Sequence, residues 1–211
     1  MDGIIFDVDG TLWDSTETVL ESWTQAIIEN SDLKVDINSP KLRGLFGKTM
    51  DEIYNELFPF LSKEEQKRLG SLCYEYENQL LEKKPGILYD GVQEVLYTLS
   101  KKLPLFIVSN CQSGYIEIFL KTTGLIDVVK AHLCFGDTLT SKGQTILRLM
   151  KENGLKDVVY VGDTRGDYLA CQEAGIPFIF AEYGFGDVPE AKEHIKRISD
   201  LLKQNFMGVS V

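Results

Sequence analysis

Five short apolar runs constrain this chain more than any other feature. They fall at residues 4–8, 105–108, 133–135, 158–161 and 178–181. Each is nearly continuous in Val, Ile, Leu and Phe rather than alternating with polar residues. Strands read this way when both faces of a parallel sheet are covered. Between the runs, segments 90–102, 114–123, 144–153 and 167–174 carry apolar residues at helical spacing. Gly124, Gly154 and Gly175 stand where a helix ends in left-handed backbone. The alternation predicts βαβ units with right-handed crossovers, an α/β fold with a doubly wound parallel sheet.

One interval breaks the rhythm. From about residue 15 to residue 84 no strand pattern occurs, only helical spacing at 19–30, 51–58 and 62–82. The expected organisation is an α/β core made of 1–14 and 86–211, with an all-helical insert at 15–85. Pro85-Gly86 supplies a stiff-then-flexible joint at its exit. A helical module on two linkers, leaving just after the first strand, is placed to act as a lid. The final residues, 207–211, show no pattern and are expected to be a loose tail.

Charge and cysteine content narrow the function classes. The 211 residues carry a formal net charge of −10 and no dense Lys/Arg run. This disfavours nucleic acid or an anionic membrane surface as partner. A phosphate substrate remains open, because one metal ion and a lysine can invert the local field. Cys73, Cys111, Cys134 and Cys171 form no C-x-x-C pair, so zinc is not indicated and buried packing is expected. Cys111 is the exception, close enough to a functional segment to be oxidisable. No basic leader or membrane-length apolar stretch is present, and a cytoplasmic location is expected.

The reactive residues gather at the ends of the apolar runs. Asp7-Val8-Asp9-Gly10-Thr11 follows the first, Ser109-Asn110 the second, and Gly162-Asp163-Thr164-Arg165-Gly166-Asp167 the fourth, with Lys142 between. In open α/β sheets, ligands bind in the crevice at those carboxyl ends. Asp7 and Asp9 are two apart, and two nearby acids divide their labour. One stays ionised as nucleophile and metal ligand; the other keeps a proton for the leaving alcohol. An EF-hand would need acids or amides where Thr11 and Thr18 stand. Asp163 and Asp167 add two acids, and a phosphate dianion among four carboxylates needs a cation such as Mg²⁺. The plainer reading of this pair is a helix N-cap. Ser109 and Asn110 offer a hydroxyl and an amide to phosphate oxygens, or ordinary turn contacts. Lys142 reads as a surface charge or as a point charge between nucleophile and phosphate.

Gly47-Lys48-Thr49 resembles the end of a P-loop, but the glycine required five positions earlier is Leu42. It reads as a loop of the insert, from which Arg43 and Lys48 either reach the substrate or serve as surface charges.

In this order and spacing the four segments resemble the signatures of the haloacid dehalogenase-like superfamily. The helical insert resembles the small cap of its phosphoglycolate phosphatase and β-phosphoglucomutase branch. The resemblance implies a Rossmann-like core, bound Mg²⁺ and an aspartyl-phosphate intermediate. Asp7 would be the nucleophile, and Asp9 the acid and then the base. The metal would be held by Asp7, Asp163 and the carbonyl of Asp9, supported by Asp167. Thr11, Ser109, Asn110 and Lys142 would hold the phosphoryl group. Asp9 argues against carbon–halogen cleavage, for which the second acid is absent. Thr11 and the absence of Lys from residues 17–29 favour hydrolysis over the mutase and phosphonatase alternatives. A phosphate-binding module without turnover is the non-enzyme alternative. The expected partner is a small phosphorylated metabolite such as phosphoglycolate, a sugar phosphate or a nucleotide.

Overall fold

The computed structural model describes residues 1–34, 37–204 and 206. The first part of the chain runs β1 (Gly3–Phe6), β2 (Trp13–Asp14), α1 (Thr16–Asn30), α2 (Ser39–Arg43), α3 (Met50–Leu57), α4 (Lys63–Leu81) and β3 (Ile87–Leu88). It continues as α5 (Val92–Ser100), β4 (Leu105–Ser109), α6 (Tyr115–Thr123), β5 (Val129–Cys134), α7 (Phe135–Thr138) and α8 (Lys142–Asn153). Then come β6 (Val158–Gly162), α9 (Arg165–Ala174), β7 (Phe178–Ala181), β8 (Glu193–Ile195) and a 3-10 helix at Ile198–Lys203. The expected loose tail at 207–211 lies outside the described residues.

Six strands form one parallel sheet in the order β5-β4-β1-β6-β7-β8. Because successive side chains point to opposite faces, each apolar run feeds two cores. Ile4, Phe6, Leu105, Ile107, Val159 and Val161 pack beneath α5 and α6. Ile5, Phe106, Val108, Val158 and Tyr160 face α8 and α9 instead. This two-sided burial explains why the runs lack polar alternation. Gly124, Gly154 and Gly175 end their helices at φ values of 70°, 66° and 70°.

The strand expected at 133–135 is displaced. β5 ends at Cys134, and Phe135 opens the short helix α7, where its side chain packs against the insert. The sequence also gave no signal for β8, whose Glu193 and His194 are exposed at the sheet edge. Short polar edge strands carry little apolar pattern.

Between β2 and β3 the described residues form four helices with a core of their own, built around Trp23, Leu45, Ile53, Tyr54, Leu69 and Tyr74. β2 and β3 pair antiparallel through Trp13–Leu88 and Asp14–Ile87, joining the two passages of chain between the helical insert and the sheet. Among the described residues no helix is long and apolar enough to cross a membrane.

Gly70 lets α4 approach α3 closely, since a methyl group there would overlap the Tyr54 ring. Gly70→Ala is expected to destabilise the protein by about 1–3 kcal/mol through overpacking. Urea unfolding checks this, and an unchanged midpoint would contradict it.

Candidate functional site

β1 lies at the centre of the sheet, where the chain's crossovers diverge to β4 on one side and β6 on the other. Its carboxyl end is therefore the switch point at which a ligand crevice forms. Asp7 follows β1 and donates its backbone N–H to Val161 O at 2.9 Å. The chain then turns tightly, with the N–H groups of Thr11, Leu12 and Trp13 all directed at Val8 O. Gly10 has φ 79°, and a side chain there would overlap the Asp163 carboxylate. Glycine is needed at this position for both reasons.

Asp7, Asp163 and Asp167 are buried, and one carboxylate oxygen from each lies within 4.8 Å of the others. Lys142 Nζ reaches Asp167 Oδ1 at 2.5 Å and Asp7 Oδ1 at 3.2 Å. The second contact is not aligned as a hydrogen bond, so buried Asp7 Oδ1 has an ion-pair neighbour but no hydrogen-bond donor. Burial opposes the charge on Lys142, yet Asp167 and Asp7 outweigh it and raise its pKa. Burial, then Asp167 and Asp7, push Asp163 well above the carboxylate range. Burial raises Asp7 as well, with Lys142 opposing. With all three acids ionised, the single ammonium of Lys142 would leave two negative charges in excess. A divalent cation fits that balance, and an all-oxygen donor set suits a hard one.

Asp167 performs two tasks. Its Oδ2 accepts from Thr164 N at 2.9 Å and Thr164 Oγ1 at 2.7 Å, capping α9, while Oδ1 faces Lys142. The helix-cap reading of this segment is thus compatible with membership of the cluster. Thr11, read from sequence as a phosphate contact, is fully buried and donates to Asp163 Oδ1 at 3.0 Å. Its hydroxyl is committed to orienting that acid.

Asp9 occupies a different environment. Its Oδ1 accepts from Trp13 Nε1 at 3.0 Å, Ser15 Oγ at 2.6 Å and Tyr115 OH at 2.7 Å. Among the described residues no donor reaches Oδ2. Burial raises the Asp9 pKa to about 6 even though these three hydrogen bonds lower it. Oδ2 is therefore the oxygen available to carry a proton.

The cavity above the sheet edge is lined by Asp7, Asp9, Ser109 and Asn110 from the core and by residues of the insert. Asn110 Nδ2 donates to Gly47 O at 2.8 Å, tying the core to the insert, and its Oδ1 is buried without a partner. Lys48 lines the cavity but is ion-paired with Glu56. Arg43 turns away to Asp14 Oδ2 at 2.8 Å and packs over the Phe185 ring at 5.7 Å. Cys111 is in the lining, with burial holding its thiol well above the usual range, so it is not a thiolate.

Several contributors gave no signal in the sequence. Tyr115 and Ser15 hold Asp9, and Tyr160 OH donates to Val108 O at 2.7 Å beneath Lys142. The loop after β7 supplies Phe185 N to Asp163 Oδ2 at 2.8 Å. Its alternating glycines in Tyr183-Gly184-Phe185-Gly186 were the available clue. Side chains at Gly184 or Gly186 would collide with Asp163.

Replacing Lys142 with Met leaves the buried acids unpaired, which typically costs about 3–5 kcal/mol. Lys142→Met is expected to show that loss near neutral pH and a smaller one in acid, where the carboxyls protonate. Urea unfolding at both pH values checks it; equal losses would contradict the charge argument.

A family model described as haloacid dehalogenase-like hydrolase matches residues 4–181. A phosphoglycolate phosphatase of Synechococcus elongatus is 30% identical over 201 residues, covering 89% of this chain and 86% of its own. A phosphoglycolate phosphatase of Yersinia pseudotuberculosis is 23% identical over 191 residues, covering 87% and 82%. Among solved structures, a haloacid dehalogenase-like family hydrolase from Streptococcus pneumoniae has a TM-score of 0.83 at 19% identity, covering 96% of this chain and 97% of its own. CbbY from Rhodobacter sphaeroides, solved in complex with phosphate, has a TM-score of 0.80 at 16% identity, covering 95% and 96%. At such identities the structural likeness concerns the fold.

Proposed function

This chain belongs to the haloacid dehalogenase-like hydrolase family and is a phosphatase, and we propose that it hydrolyses a small organic phosphomonoester with Mg²⁺, through an aspartyl-phosphate on Asp7. The observation that carries this reading is the cluster of Asp7, Asp163 and Asp167 around Lys142, with Asp9 held separately beside it. Asp7, Asp163 and Asp167 would hold the Mg²⁺, together with the main-chain carbonyl of Asp9. Once bound, the ion supplies charge neutralisation for the phosphoryl oxygens.

In the first step an Asp7 carboxylate oxygen attacks phosphorus, and the bond from phosphorus to the ester oxygen breaks. Asp9 delivers its proton from Oδ2 to the departing alcohol. Ser109 and Lys142 steady the phosphoryl group, and Asn110 stands beside them at the end of β4. Water then attacks phosphorus, Asp9 takes the water proton, and the acyl-phosphate bond breaks. Inorganic phosphate leaves and Asp7 is restored. The pKa of about 6 for Asp9 suits both transfers, since the ideal catalytic pKa lies near the working pH. The insert is read as a cap that excludes water from the first step.

Asp7→Asn is expected to reduce phosphate release by about 10⁴-fold or more, as loss of a nucleophile does. Asp9→Asn should cost about 10²–10⁴-fold on alkyl phosphates and much less on activated aryl phosphates. Steady-state assays with both ester types check this, and equal loss on the two would oppose the acid role.

The raised pKa values of Asp7, Asp9 and Asp163 have a sign for stability. Their contribution is fully present below the ordinary carboxyl value and is lost as pH rises through the raised ones. A bound divalent cation offsets that loss only where the acids are ionised. Mg²⁺ is therefore expected to raise the Tm more at about pH 8 than at about pH 5. Asp163→Asn should shrink the shift. No Mg²⁺ effect at the higher pH in thermal unfolding would count against the metal site.

A further inference from the structure

Glu77 is a buried acid that the chemistry above does not use. It lies on α4, is 3% exposed, and lines the same cavity as Asp7 and Asp9. Trp23 Nε1 donates to its Oε2 at 2.5 Å, and Gln112 Nε2 donates to its Oε1 at 3.0 Å. A carboxylate has about four acceptor positions, so about two remain for a ligand. Burial raises its pKa to about 8 in spite of both hydrogen bonds, and Asp9 adds to the rise. Among the described residues the cavity lining offers it no compensating charge, because Lys48, the cation there, is paired with Glu56.

Tyr74 belongs to the same wall. Tyr74 OH is buried, lines the cavity and has no hydrogen-bond partner. The Tyr74 and Trp23 rings meet edge to face, with centroids 5.7 Å apart. The rest of the insert's wall is largely apolar, including Leu42, Leu45, Met50 and Ile53.

We propose that this wall receives the alcohol part of the substrate, and that Glu77, with Trp23 and Tyr74, selects phosphomonoesters whose alcohol carries a protonated amine. An ammonium group supplies N–H donors for the remaining acceptor positions of Glu77 and a positive charge for the aromatic rings. Its charge also favours the ionised form of Glu77. A leaving group ending in a carboxylate, such as glycolate, would bury a negative charge in a wall whose Lys48 is already paired with Glu56. A polyol would need several polar partners, which the apolar wall does not provide. The inference rests on the phosphatase reading and names the substrate class of that site.

The test compares kcat/KM, with Mg²⁺ present, for aminoethyl and aminopropyl phosphate against phosphoglycolate and ethyl phosphate, with an activated aryl phosphate as a general substrate. The amine esters are expected to exceed the other two alkyl esters by about tenfold or more. Glu77→Gln is expected to collapse that ratio whatever its absolute rate. Phosphoglycolate or ethyl phosphate matching the amine esters in the wild-type protein overturns the selection. That ranking decides the matter even where Glu77→Gln does not fold. An unchanged ratio in a folded Glu77→Gln removes Glu77 from it. Failure to release phosphate from every ester, the aryl one included, overturns the phosphatase reading itself. Aryl hydrolysis with the wrong alkyl ranking overturns only the selection.

Discussion

The buried ammonium of Lys142 faces Asp7 and Asp167 directly, and Asp163 completes the group of acids to which these two belong. Removing these groups from water is expensive, and one cation does not balance three acids. The arrangement persists because the fold over-determines it. β1 and β6 run side by side and end together, so Asp7 and Asp163 emerge at adjacent strand ends. α8 begins at Lys142, and α9 is capped by the same Asp167 that accepts from the lysine. Each acid is thus fixed by backbone that the two flanking cores already hold rigid. Topology therefore gathers three acids where a divalent cation would favour their ionised forms.

Against that background the two acids of the first loop differ by environment alone. Asp7 faces a lysine and two other carboxylates; Asp9 faces an indole, a hydroxyl and a phenol. The first setting favours a partner in metal and phosphoryl chemistry. The second locks one oxygen and leaves the other free to exchange a proton. Two carboxyls of identical chemistry acquire separate environments because the turn gathered on Val8 O carries them to different neighbours.

The sheet was legible in the sequence because its strands are buried on both faces and so read as unbroken apolar runs. The same criterion loses β8, which is half exposed, and misplaces Phe135, which is apolar because it packs against the insert rather than within β5. The acids of the site were legible because they stand immediately after strands. Their supports were not. Tyr115 is 106 residues from Asp9 and meets it only through the packing of α6 against the first core. Thr11 was read for its hydroxyl, but its contact with Asp163 depends on a pairing 152 residues distant. Glu77 stands in a helix that also carries Glu64, Glu65 and Glu75, all exposed, and no local pattern distinguishes the buried one. Arg43 and Lys48 were ambiguous because a long cationic side chain can turn several ways. In this fold their acids, Asp14 and Glu56, hold both.

The cavity itself constrains how the site works. Its volume is about 40 Å³, room for roughly three water molecules and too small for a phosphomonoester. The insert closes it by stacking Phe46 on Phe185 at 5.3 Å and by the Asn110–Gly47 hydrogen bond. The cavity does not admit such an ester with the insert in this position. The two chain passages that tether it meet in the short β2–β3 ribbon, which has two paired residues on each strand. So small a ribbon can flex without disturbing either core, because the insert buries its own apolar residues and the sheet buries another set. Asp9 lies at the foot of this ribbon, with Trp13 of β2 donating to it. Any displacement of the ribbon would therefore be felt first by the hydrogen bonds that hold Asp9.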